Sequence, residues 1–229
     1  MANNVLEADS ADPRARIAGQ VVERTLARRR ATAEREVTRL IEAAFRVIER
    51  TGDLEPRVAD ILAEAGLSNP AFYRHFSGKH ALLVAVLDEG IRGLADHLTQ
   101  RVARAACAED AVRAWIRGMA AQAIRPDAAR ASRPFALARG RLAESFPSEV
   151  AASEHRVSRP LREALTRGKA DGTMPTVDAA LEAEALYHLM MGWVEARLVE
   201  GRVPEANEVD TLETFALAGL MRGATTTNR

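Results

Sequence analysis

Apolar residues recur at helical spacing along most of this chain. Val37, Leu40, Ile41, Ala44 and Ile48 make one stripe, which predicts a first helix running to about Arg50 and stopping at Gly52. A short second helix follows Pro56, with Val58, Ile61, Leu62 and Ala65 facing inward. Proline suits a first helical turn because its missing N–H would be unbonded there. Gly66 supplies a turn. Ser68 opens a third helix, its hydroxyl placed to cap the free N–H groups, with Pro70 in the early turn. Phe72 and Phe76, four residues apart, face the core, and Ser77-Gly78 ends the segment. A long fourth helix then carries Leu83, Leu87, Ile91, Leu94, Leu98 and Val102 on one stripe.

Beyond Cys107 the pattern predicts helices over 110–124, 128–143, 148–170, 177–200 and 208–222. Pro126, Pro147, Gly172 with Pro175, and Gly201 with Pro204 stand in the breaks. Pro160 falls inside one helix and predicts a kink. No segment reads as a strand and no internal repeat is found, so the expected fold is all-α.

Composition narrows the function. Hydrophobic residues make up 47% and charged residues 28% of the 229, a globular balance. A formal net charge of +0 argues against an indiscriminate nucleic-acid coat but leaves room for a local basic patch. The single cysteine, Cys107, excludes an intramolecular disulfide framework. The polar start of the chain has no apolar signal core, and no run approaches the roughly 20 apolar residues that span a bilayer. A soluble cytoplasmic protein without a membrane segment is expected. Residues 1–33 lack a firm apolar period and read as a flexible basic arm carrying Arg24, Arg28, Arg29 and Arg30. Such a run is a solvated tail or an arm that lies along DNA.

The informative stretch is Ala65-Gly-Leu-Ser-Asn-Pro-Ala-Phe-Tyr-Arg-His-Phe-Ser-Gly-Lys79. Two short helices meeting at a tight glycine turn form a helix-turn-helix, whose second helix enters a major groove. Leu67, Phe72 and Phe76 anchor that helix, leaving Asn69, Ala71, Tyr73, Arg74 and His75 for DNA. Ser68, His75 and Asp60 lack the nucleophile-elbow context of a hydrolytic triad. His75 and His80 have no further ligands at metal spacing. No catalytic residue, metal or other cofactor is expected.

Here the sequence resembles the tetracycline-repressor (TetR) family of regulators. The resemblance rests on Phe45 to Gly52, on Val58-Ala-Asp-Ile-Leu-Ala-Glu-Ala-Gly-Leu-Ser68, and on Phe72-Tyr-Arg-His-Phe76 followed by Lys79, Ala81, Leu82 and Leu83. It covers about the first third of the chain and implies a three-helix DNA-binding head over 34–87. It further implies a helical effector-binding and dimerisation body over 88–229. By the resemblance, Tyr73, Lys79 and Arg57 contact phosphates, the last at a position usually held by threonine. Ser68, Asn69, Pro70 and Ala71 stand at the tip of the recognition helix. Asparagine there can read adenine, and alanine or proline can meet a thymine methyl. Ile48, Leu62, Ala71 and His80 depart from the family's common residues.

The family's last two helices pair with their twins as a four-helix bundle, which implies a homodimer and makes Leu189, Trp193, Phe215 and Leu220 interface candidates. The middle helices would enclose an effector cavity, with His97, Trp115, Met119, Phe135, Leu142, Phe146, Tyr187 and Met191 as candidate lining. This set carries few charges and suits an apolar or amphipathic small molecule. The expected function is a ligand-responsive repressor acting on a double-stranded DNA operator. A ligand-independent DNA binder is the competing class, and a helical enzyme a weaker one because no catalytic motif is present.

Overall fold

A computed structural model describes residues 13–221, and all of its regular structure there is helical. Ten helices follow in order: α1 Pro13–Thr51, α2 Val58–Ala65, α3 Asn69–His75, α4 Lys79–Ala103, α5 Ala108–Ile124, α6 Pro126–Leu137, α7 Arg139–Ser145, α8 Pro147–Ala170, α9 Ala179–Glu200 and α10 Ala206–Leu220. Their ends carry the expected chemistry. Prolines open α6 and α8. The Asp178 carboxylate accepts from the Ala180 and Leu181 amides at 3.1 Å, and Glu205 with Glu208 forms a reciprocal capping box on α10.

Two hydrophobic cores organise the helices. The head core joins Leu40, Ala44 and Ile48 of α1, Ile61 and Leu62 of α2, Phe72 and Phe76, and Leu82 and Val86 of α4. The body core centres on α5, which packs against α4, α6, α8, α9 and α10. Most of α5 is buried, including Ala111, Val112, Trp115, Ile116 and Met119, and only a stripe through Asp110 and Arg117 reaches the surface. Gly118 permits the close approach of α4, since a Cβ there would meet Leu98 at 2.5 Å. The cores are not cleanly separated: Ala138, Leu142 and Phe146, from the α6–α8 region, belong to the head core. A boundary at residue 87 falls inside α4.

Two predicted features differ. The described part of the 1–33 arm is helical from Pro13, continuous with α1, while residues 16–30 are exposed throughout. Arginine, alanine and glutamate favour helix by propensity alone, so no apolar period is needed to form one. The expected 128–143 helix is divided at Ala138 (φ −109°, ψ 9°) into α6 and α7. Pro160 lies within α8 as expected, and Pro134 is a second internal proline, in α6.

Candidate nucleic-acid interface and effector cavity

The helix-turn-helix is fixed by its turn. Gly66 ends α2 at φ 61°, ψ 40°, the left-handed region that favours glycine. Arg39 of α1 donates to the Ala65 carbonyl at 2.5 Å and the Gly66 carbonyl at 3.3 Å, satisfying the end of α2. Arg46 and Arg50 of α1 reach Glu64 of α2 at 2.8 and 3.0 Å. Their hydrogen bonds hold the Glu64 carboxyl below its ordinary range.

On this frame α3 buries Phe72 and presents Tyr73, which is 62% exposed and meets the Phe72 ring edge-on at 5.1 Å. Ser68, Asn69, Pro70 and Arg74 are exposed beside it. Arg57 stands at the start of α2 with 87% of its side chain exposed, 3.3 Å from Asp60. Lys79 opens α4, with its Nζ 3.2 Å from a carboxylate oxygen of Glu55.

Three expectations for this face change. Ala71 is 5% exposed, because it shares the inward side of α3 with Phe72, and its methyl is not available to a base. The His75 side chain is 9% exposed and bonds Glu36 of α1 at 2.6 Å, so its ring is held inward. Ser68 is in the N-cap position, but its hydroxyl makes no capping bond. Pro70 removes one of the amides such a cap would serve. Glu36 also accepts from Arg74 at 3.0 Å. The hydrogen bond from His75, opposed by desolvation and aided by Arg74, lowers the Glu36 carboxyl below its usual value. Glu36 and Arg39 are the residues that lock α1 to the recognition unit. Sequence reasoning misses them because they read as ordinary polar positions beside the α1 stripe.

Beneath the head lies a cavity of about 290 Å³ lined by residues of α4 to α9. Met119, Phe135, Leu142, Tyr187 and Met191 line it as expected. Burial pushes the Tyr187 phenol up to about 12, so it stays neutral. The other three candidates do not line this cavity. Trp115 is fully buried in the body core and donates Nε1–H to the Val157 carbonyl at 3.0 Å. Phe146 belongs to the head core, stacked on His80 at 4.4 Å. His97 lines a separate depression of about 170 Å³ with Arg125, and desolvation lowers its pKa, aided by Arg101. The lining that sequence reasoning misses is Leu87, Ile91 and Leu94, read there only as part of the α4 stripe. The available signal is that α4 is apolar on two sides. Leu82 and Val86 are buried in the head core on one side; on the other, Leu98 and Val102 are buried in the body core while Leu87, Ile91 and Leu94 of the same stripe face the cavity.

Phe215 is 68% exposed, and Leu189 and Trp193 are half-buried. Leu220 is 4% exposed in the subunit's own core, where it cannot also serve an interface. Glu213 of α10 is equally buried, bonded to Arg117 at 2.5 and 3.0 Å. Cys107 is exposed, and its sulfur caps α5 through the Asp110 amide. Among the described residues no group of three or more His, Cys, Asp or Glu is placed to hold a metal ion. No helix among them is long and apolar enough to cross a membrane.

Residues 40–86 match the sequence profile described as "Bacterial regulatory proteins, tetR family". The HTH-type transcriptional regulator BetI of Brucella anthropi is 37% identical over 65 residues, 28% of this chain and 34% of that protein. The match therefore spans about a third of the curated relative's length. A TetR transcription regulator from Haloarcula marismortui superposes with a TM-score of 0.66 at 18% identity, over 82% of this chain and 96% of the other. A TetR family transcription regulator from Marinobacter aquaeolei superposes at 0.59 with 21% identity, over 83% and 98%. Head and body together define an all-helical helix-turn-helix protein. Residues 40–86 carry the tetR-family DNA-binding segment, and the chain as a whole has the fold of these solved regulators.

Proposed function

We propose that this protein is a homodimeric, sequence-specific DNA-binding repressor acting in the cytoplasm, released from its operator by a mainly apolar small molecule. The observation that carries the reading is the outer face of α3. Asn69, Pro70, Tyr73 and Arg74 stand exposed on a seven-residue helix whose opposite side is locked into the head core. A rigid short helix with a free polar face suits a major groove, with Asn69 for a base edge and Tyr73, Arg57 and Lys79 for phosphates. The described part of the arm adds exposed Arg24, Arg28 and Arg29 next to this head.

Dimerisation is supported by α9 and α10. Helix α9 buries Leu186, Met190, Val194 and Leu198 on one side and leaves Leu181, Ala185, Gly192 and Val199 exposed on the other. A helix apolar on both sides calls for a second partner, and α10 adds an exposed aromatic ring, Phe215. Leu189 and Trp193 flank it. Two heads related by a two-fold axis require matching half-sites, with recognition helices about 34–36 Å apart.

The apolar cavity supports the effector. Helix α4 runs from its wall to Lys79, and Phe135 and Leu142 line the cavity while packing on the head core. Arg130 to Glu49, at 2.7 Å, adds a tie between α6 and α1. An effector preferring one arrangement of these helices changes the placement of the heads. A tenfold loss of DNA affinity needs about 1.4 kcal/mol of differential binding. The test is enrichment of duplexes from a random-sequence pool by the intact protein. An inverted repeat is expected to emerge, and a pool that stays random would overturn the proposal.

A further inference from the structure

A small cationic depression adjoins the effector cavity. Gly90, Leu94 and Gln122 line both, and Gly90 puts no side chain between them. The rest of the depression's wall includes His97 and Arg125 and no carboxylate. Desolvation, then Arg101, Arg125 and Arg104, lower the His97 pKa, so at pH 7 the ring is neutral with one N–H to donate. Among the described residues none of these three arginines has a carboxylate partner. Arg101 gives its Nε–H to the Ala114 carbonyl at 3.2 Å. Asp127, the acid nearest Arg125 in the chain, is held by Arg130 at 2.7 Å. Arg125 itself is exposed, so its guanidinium is open to a ligand. The formal net charge of the chain is +0, so this unopposed positive charge is a local feature and not a general excess.

We propose that the effector is an anionic amphiphile whose carboxylate sits in the depression, on Arg125, His97 and Gln122, and whose tail lies in the apolar cavity. This rests on reading the cavity as the effector site. The acids set the direction. Glu149 and Glu195 line the cavity and not the depression, and Arg139 is already paired with Glu195 at 3.6 Å. A carboxylate inside the cavity would therefore meet like charge and no free cation. In the depression it meets the Arg125 guanidinium, whose planar fork can donate to both carboxylate oxygens. The Gln122 carbonyl oxygen accepts from Ser132 at 2.9 Å, which leaves its amide N–H groups for the head. Leu87, Ile91, Leu94 and Met191 offer the tail an apolar wall. Both parts of the ligand then bear on α4, through Ile91 and Leu94 at the tail and His97 at the head, and α4 begins at Lys79.

Octanoate, octan-1-ol and octylamine share one tail and differ in head charge, and each is titrated calorimetrically into the full chain at pH 7. Octanoate is expected to bind tightest, with an affinity that falls as salt rises while that of octan-1-ol holds. Arg125→Gln should weaken octanoate about fivefold, the upper value for an exposed ion pair, and leave octan-1-ol unchanged. Gly93 also lines the depression, and a Cβ there meets nothing within 4 Å. Gly93→Asp therefore adds a carboxylate without a clash, and should weaken octanoate while sparing octan-1-ol. Circular dichroism verifies that both variants are folded. Tighter octan-1-ol or octylamine binding in the wild type, or octanoate binding indifferent to either variant, overturns this proposal while the effector cavity stands. Failure of all three probes to bind overturns both.

Discussion

Lys79 offers a quantitative test of the head's placement on DNA. Its ammonium bonds the Glu55 carbonyl and carboxylate, both at 3.2 Å, and the two side chains are 38% and 61% exposed. A DNA phosphate in this position must displace the carboxylate. Lys79→Ala removes one counterion-releasing contact, so the slope of log affinity against log salt should fall by about 0.9. Between 50 and 200 mM salt the wild type should then lose about 3.5-fold more affinity than the variant. Glu55→Gln acts in the opposite direction by freeing the ammonium. An exposed ion pair is worth up to about 1 kcal/mol, so affinity should rise by about fivefold at most, and the gain should shrink with salt. In the double variant the Glu55 effect should vanish, because its target is gone. Fluorescence anisotropy of a labelled operator duplex across a salt series reads all four proteins. An unchanged slope in Lys79→Ala would refute the reasoning, as would a Glu55→Gln gain that persists without Lys79.

The remaining predictions address the core, the acid range and the arm. Trp115→Phe removes the indole hydrogen bond to the Val157 carbonyl and leaves a void in the body core. It should cost about 2–4 kcal/mol. A thermal melt should show a fall of about 5–15 °C, and a Tm within measurement error of wild type would contradict the core assignment. The Glu208 carboxylate accepts from the Arg202 guanidinium and from the Glu205 backbone N–H, which brings its pKa from 4.5 to about 2. A folded-state pKa lowered in this way contributes stability above pH 4.5 that is lost as pH falls toward 2. The Tm gap between wild type and Glu208→Gln should therefore close over that interval, and a gap that stays constant would be inconsistent. Removing residues 1–30 takes away no buried side chain among those described. The truncated protein should keep its Tm and lose DNA affinity, and unchanged affinity would make the arm a solvated extension only.

Much of the fold is legible because apolar periodicity and punctuating Gly and Pro residues act locally. Gly66 and the Phe72–Phe76 spacing predict the turn and anchors found in the head. The site is less legible because it depends on which side of a helix meets which neighbour. Ala71 and His75 fall on the recognition helix as expected, yet one faces the core and the other is drawn inward by Glu36, 39 residues away in the chain. Trp115 and Leu94 are both apolar helix positions, and only the packing of α8 and α9 makes the first core and the second cavity wall. The break at Ala138 starts α7 at Arg139 and brings it to Glu195 of α9 at 3.6 Å, and no periodicity announces it.

The central claim is that the exposed face of α3 reads a DNA sequence. The most direct measurement is the ratio of affinities of the intact protein for its enriched inverted-repeat duplex and for a scrambled duplex of the same length and composition, at one fixed salt concentration. The account predicts a preference of about a thousandfold or more, reduced by Asn69→Ala at one base pair of each half-site. Equal affinity for the two duplexes would contradict it.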